Sequence, residues 1–260
     1  MKRFLFIALH LIIGVQLFAQ VDLNAPFPVD PAIRKGKLSN GLTYYIKYNK
    51  QPEKRVEMRL AVNAGSILES DAQQGLAHFC EHMCFNGTKK FPKQELVNFL
   101  EKMGIEFGAE LNAYTSFDET VYMLSVPSDR FGLVDTAVQV LNEWSQNVTF
   151  DNTEIDKERG VVLSEMRQGL GANDRMMKKY LPILLKGSKY ANRLPIGKKE
   201  ILETCPYDTL RHFYKEWYRP DLMAVSIVGD VNVDSIEHLI KRHFSSNVNP
   251  TAEKKREEFE

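Results

Sequence analysis

The five residues His78-Phe79-Cys80-Glu81-His82 constrain this chain more than any other stretch. They fall in a segment whose apolar spacing predicts a helix from about Gln73 to Phe85, ended by Gly87. Residues four apart on a helix share a face, so His78 and His82 can offer two imidazole nitrogens to one ion. Glu81, three residues after His78, projects beside them and supplies a carboxylate able to take a proton from water. Taken alone, the pattern fits a solvated helix face as well as a metal site, and its surroundings have to decide.

The cysteines do not compete for that role. Cys80 lies between the two histidines and points away from their face, and Cys84 follows on its own side. With Cys205 they make an odd count of three, which builds no disulfide framework and reads as small buried hydrophobes. Basic and acidic residues balance at 34 each, which removes any global argument for nucleic acid or an anionic membrane surface. The start of the chain is distinctive. Met1-Lys2-Arg3 precedes the apolar run from Phe4 to Val15, and Ala19 offers a small residue for cleavage. This is the layout of a secretory signal peptide. The expectation is export, to the periplasm if the source has two membranes, with no stable membrane insertion after cleavage. The chain then divides into a signal peptide at 1–19, an extended lead-in at 20–36, a main domain at 37–246 and a polar tail at 247–260.

Within the main domain, Lys37 to Ile46 reads as strand–turn–strand about Asn40-Gly41. Val56 to Asn63 alternates as a half-buried strand. Lys93 to Met103 predicts a helix, and Ile105 to Ser116 with Glu119 to Val126 a strand pair. Ser128 is a natural N-cap for a helix through Trp144. Asp151 with Glu154 opens another helix reaching Leu170, and a mostly helical stretch continues to Trp217. Leu222 to Gly229 is almost wholly apolar and fits a central strand, and Asp234 to Phe244 closes as a helix. Hairpin-connected strands mixed with helices point to an α+β fold, a mixed and mainly antiparallel sheet packed with helices.

Two histidines do not complete a metal site. Glu158 and Glu165 lie seven apart on the helix after Asp151, two turns, so both carboxylates face one way. Spacing alone leaves each as a ligand or as an ordinary solvated acid. The run from Gly75 to Thr88, GLAHFCEHMCFNGT, is more specific. It resembles the active-site segment of the pitrilysin/insulinase family of zinc peptidases, whose H-x-x-E-H reverses the H-E-x-x-H pattern. The likeness continues through Leu111–Ser116, Asp118–Tyr122, Glu158–Val162, Glu165–Arg167 and Val228–Asp230, and spans Lys37 to Phe244.

The resemblance implies that His78, His82 and Glu165 hold one zinc ion, that Glu81 is the general base, and that Glu158 is an auxiliary acidic residue of the catalytic site. It implies a mitochondrial-processing-peptidase-like fold in which Asn112, Ala113 and Tyr114 lie on an edge that adds a peptide substrate as an extra strand. Each ligating histidine should hand its other N–H to a carboxylate or carbonyl, and Glu119 is a candidate acceptor. Family members pair two homologous domains, and this chain offers one. A second homologous domain or chain is therefore expected as partner for full activity. The alternative is a non-catalytic partner or scaffold domain of a two-part peptidase, against which the intact His78, Glu81, His82 and Glu165 set speaks.

Overall fold

The computed structural model describes residues 28–93, 95–106, 108–250 and 255–259. The expected signal peptide lies outside these residues. Residues up to Pro31 fall in a separate unit, and everything below concerns the unit that starts at Ala32.

Six strands form one sheet: β1 (Arg34–Lys37), β2 (Thr43–Tyr48), β3 (Arg55–Val62), β4 (Leu111–Thr115), β5 (Thr120–Pro127) and β6 (Met223–Gly229). Their order is β1-β2-β6-β3-β5-β4. β6 runs parallel to β2 and antiparallel to β3, and the other pairings are antiparallel. The mixed, mainly antiparallel α+β reading therefore holds, with β6 central as its apolar run predicts. Alternation sets the faces. Val56, Met58, Leu60 and Val62 of β3 are fully buried, while Glu57 and Arg59 between them are exposed.

The helices among the described residues are α1 (Leu76–Met83), α2 (Glu95–Lys102), α3 (Leu133–Gln146), α4 (Asn152–Gln168), α5 (Ala172–Leu184), α6 (Lys199–Thr204), α7 (Tyr207–Trp217) and α8 (Val233–Phe244), and α1, α3 and α8 pack on the sheet. α1 packs against α4, α7 and β4, and α3 against β5, β3 and α8. Trp144, Tyr122, Phe79, Phe213 and Phe244 are the largest fully buried side chains. Large apolar groups at these positions dominate the burial energy, at roughly 1.5–3 kcal/mol each.

Several boundaries differ from the sequence reading, each for a local reason. The metal helix starts at Leu76, because Asp71–Gln73 makes a separate 3-10 turn and Gly75 sits at φ +101°. The strand expected from Ile105 begins only at Leu111, since Gly104 and Gly108 take positive φ and turn the chain. Ser128 does not cap α3. Its N–H continues the sheet onto the Lys54 carbonyl at 2.9 Å, and the helix opens after Gly132. β1 begins inside the expected lead-in. The expected tail is also partly built in: Asn247 is buried against Asn142 and Ser145, and Arg256 reaches the Asn63 carbonyl and Asp118.

Candidate metal centre

Short-range chemistry and one buried carboxylate position α1. Glu69 is fully buried and aims both oxygens at the helix start, accepting from Gly75 N–H at 3.0 Å and Ala77 N–H at 2.9 Å. Burial pushes its carboxyl up to about 8, against the pull of those two N–H groups and of Arg193. Arg193, itself buried, donates to the Glu69 carbonyl and to Asp71, and its own carbonyl accepts from Ser66 Oγ at 2.5 Å. The loop that follows contributes Pro195 and Ile196 to the wall of the site.

α1 buries Phe79, Cys80 and Met83 in the core and turns His78, Glu81 and His82 toward a cavity of about 610 Å³. α4 supplies the facing side. Asp151 caps it by accepting from Thr153 and Glu154 N–H, and its helical period then brings both Glu158 and Glu165 to the cavity. His78 Nε2 and His82 Nε2 lie 3.2 Å apart. Glu165 Oε2 stands 3.3 Å from His82 Nε2 and 3.7 Å from His78 Nε2. Tetrahedral donors about 2.0–2.1 Å from a zinc ion are separated by about 3.3 Å. The three atoms therefore already have the spacing such an ion requires, and two imidazoles with a carboxylate are the right chemistry for it. Among the described residues no other cluster has this property.

Glu158 does a different job. Its Oε1 lies 2.7 Å from His82 Nδ1, and its Oε2 accepts from Asn86 Nδ2 at 2.8 Å. This fixes His82 with Nε2 toward the ligand side. Glu119, the acceptor suggested by sequence, is elsewhere: its carboxylate takes the Tyr114 hydroxyl at 2.8 Å across the β4–β5 turn. The turn between β4 and β5 brings those two residues together. The second nitrogen of His78, Nδ1, is buried with no partner among the described residues, so the expected hand-off holds for one histidine only.

The charges follow the geometry. Burial first, then His82, holds His78 down to about 3, so its imidazole is held neutral at any ordinary pH. Burial also opposes protonation of His82, but the hydrogen bond and charge of Glu158, with Glu81 and Glu165, win and raise its pKa. Burial raises Glu81, partly offset by a hydrogen bond from Thr115 and by His82.

Edge strand β4 forms another wall through Asn112, Ala113, Tyr114 and Thr115. Among the described residues only β5 pairs with it. The Asn112 side chain accepts from Ala113 N–H at 2.8 Å. Asn86, Pro195 and Ile196 were not singled out from sequence, and Thr115 only as part of the strand, with no role of its own. Alternation along β4 could have flagged Thr115, because it shares a face with Leu111 and Ala113.

Residues 44–185 match the insulinase family (peptidase family M16), and residues 204–260 match a second description, the peptidase M16 inactive domain. The second stretch carries α7, β6 and α8, which share the sheet and core of the metal helix. The probable zinc protease PqqL of Haemophilus influenzae is 42% identical over 93% of this chain and 26% of its own length. The chloroplastic stromal processing peptidase of Arabidopsis thaliana is 34% identical over 86% of this chain and 17% of its own length. Among solved structures, the first half of the periplasmic protease PqqL from Escherichia coli superposes with a TM-score of 0.85 at 38% identity. That match covers 89% of this chain and 50% of the other. The chain thus spans about a quarter or less of the length of these curated relatives.

Proposed function

The chain belongs to the insulinase family, peptidase family M16, and on that premise we propose that it is the metal-carrying part of a zinc-dependent endopeptidase acting on peptides or unfolded polypeptide segments. The observation that carries this reading is the set of three donor atoms at zinc spacing with the Glu81 carboxylate beside them at the cavity floor.

His78, His82 and Glu165 would hold the ion. Bound there, zinc polarises the scissile carbonyl and makes water more acidic. Glu81 takes the proton from the attacking water and passes it to the departing amine, so one carboxylate serves as base and then as acid. Glu158 keeps His82 in the tautomer that ligation needs. The free edge of β4 accepts the substrate backbone as an added strand, which displaces the Asn112 side chain from Ala113 N–H. Such docking reads backbone more than side chains and suits broad substrates.

We further propose that full turnover needs a second homologous domain. The chain's small share of its relatives' length supports this, as does α5, which buries none of its residues and leaves Met176, Tyr180, Ile183 and Leu184 exposed. Turnover by the isolated chain should be slow at best. The signal-like start at 1–19, together with a relative described as periplasmic, supports a location outside the cytoplasm.

Glu81→Gln tests the reading. The amide keeps the size of the side chain but cannot act as base. Zinc content by metal analysis should stay at one per chain, while cleavage of a quenched peptide falls by about 10²–10⁴-fold. Loss of zinc from this variant would make Glu81 a ligand and overturn the assignment.

A further inference from the structure

Glu81 has a partner that the zinc chemistry does not account for. Thr115 Oγ1 lies 2.5 Å from Glu81 Oε2. Thr115 ends β4, on the face turned toward α1. The direction of the bond can be worked out. Thr120 Oγ1, 3.4 Å from Thr115 Oγ1, donates to the Ala64 carbonyl at 2.9 Å, so its one hydrogen is spent. An ionised carboxylate has no hydrogen to give. Thr115 is therefore the donor and Glu81 Oε2 the acceptor, while Glu81 Oε1 bonds to none of the described residues.

The hydroxyl is held firmly. The Ser116 and Phe117 carbonyls accept from Ser66 and Ile67 N–H at 3.1 and 2.9 Å, and Ser116 N–H donates to the Glu119 carbonyl at 2.8 Å. Gly65 allows this approach. A Cβ there would stand 2.5 Å from the Phe117 carbonyl oxygen and closer still to that of Ser116. The end of the β4–β5 hairpin is thus clamped to the backbone leading into the metal helix. Glu81 is only 8% exposed, so little solvent competes for its oxygens.

We propose that Thr115 is a positioning residue for Glu81: it occupies Oε2, leaves Oε1 as the oxygen that receives the water's proton, and ties the orientation of the base to the strand on which substrate docks. This rests on the peptidase reading above. It adds that the edge strand serves the base as well as the substrate, and that the two are registered through one hydroxyl.

The test compares Thr115→Val, which keeps the branched shape and strand preference, with Thr115→Ser, which keeps the hydroxyl. Both are loaded with zinc and checked for metal content. Initial rates of peptide cleavage are measured over a range of substrate concentrations with substrate in excess, and binding of a peptide hydroxamate is measured by fluorescence anisotropy. A hydroxamate ligates zinc and shares its proton with a neighbouring carboxylate, so this arm needs no turnover. T115V should keep its zinc and its KM, lose about 10- to 100-fold in kcat, and bind the hydroxamate about tenfold more weakly. T115S should recover most of both. A T115V protein that cleaves and binds like the parent overturns the proposal, and so does a T115S protein as impaired as T115V. Glu81→Gln run alongside separates the two claims. If it binds hydroxamate as tightly as the parent, the failure belongs to the peptidase reading instead.

Discussion

Glu158→Gln should weaken zinc binding without unfolding the protein, and the size of the effect follows from two hydrogen bonds. The carboxylate serves His82 Nδ1 with one oxygen and Asn86 Nδ2 with the other. An amide offers one acceptor oxygen, so its NH₂ must face one of those two donors. Replacing such an outer partner typically costs about 10- to 100-fold in metal affinity, or about 1.4 to 2.7 kcal/mol. The pH dependence gives a second handle. Without metal, burial works against protonation of His82, yet Glu158 and the other carboxylates raise its pKa, so zinc must displace a proton there as pH falls. Removing the Glu158 charge lowers that pKa, so the variant has less proton competition at low pH than the parent. The ratio of the two dissociation constants should therefore be largest near pH 8 and shrink toward pH 6. Competition with a chromophoric chelator at both pH values measures it, and urea unfolding of the metal-free proteins checks the fold. Equal affinities at pH 8, or a ratio that widens on acidification, would refute this account of Glu158.

Three further outcomes are expected. His82→Ala and Glu165→Ala should each leave the protein folded by circular dichroism but without stoichiometric zinc, since a three-ligand site loses its geometry when one goes; zinc retained at one per chain in H82A would remove His82 from the ligand set. Gly65→Ala should cost about 1–3 kcal/mol in urea unfolding through overpacking against the Ser116–Phe117 carbonyls and reduce turnover with zinc retained; unchanged stability would show that the hairpin clamp yields freely. Hydrogen bonds from Lys241, Tyr44 and Arg34 hold the Glu237 carboxyl down to about 2, below its ordinary value. A depressed carboxyl stabilises the fold above its unfolded pKa and loses that contribution as pH falls toward 2. Glu237→Gln should therefore narrow the stability gap between pH 7 and pH 3 by about 1 kcal/mol after solvent screening, and an unchanged gap would discount this group.

Sequence patterns showed the elements whose information is local. The alternation of Val56, Met58, Leu60 and Val62, the apolar run of β6 and the Asp151 cap all encode periods or turns within a few residues, and the structure keeps them. The i,i+4 histidines and the i,i+7 glutamates were legible for the same reason: a helix turns spacing directly into a shared face. Boundaries failed where two signals competed, as at Ser128, whose capping chemistry lost to one more sheet hydrogen bond. Contacts that close over long separations left no trace in the pattern. Thr115 reaches Glu81 across 34 residues, Glu158 reaches His82 across 76, and Arg193 accepts from Ser66 across 127. The Glu119 carboxylate instead meets Tyr114, five residues away across the β4–β5 turn, where its spacing alone did not say which neighbour it takes.

The site is built from two sets of contacts that meet at Glu81. Zinc spacing depends on α1 and α4, through His78, His82 and Glu165, with Glu158 bracing one histidine. The base and the substrate edge depend on β4 and the clamp of residues 64–67, through Thr115. Damage should therefore sort into two classes. Changes to His78, His82, Glu165 or the Glu158 brace lose the metal and everything that follows from it. Changes to the base, to Thr115 or to the clamp at Gly65 keep the metal and lose turnover, and E81Q, T115V and G65A all belong there. The second homologous domain proposed above falls in the same class by this logic. It would contribute to the substrate side of the cavity, and a strand held along one edge is ordered with few compensating contacts. Supplying that domain should raise turnover while the zinc affinity of this chain stays where α1 and α4 set it, and a zinc affinity that rises in step would show that the two sets are not separate.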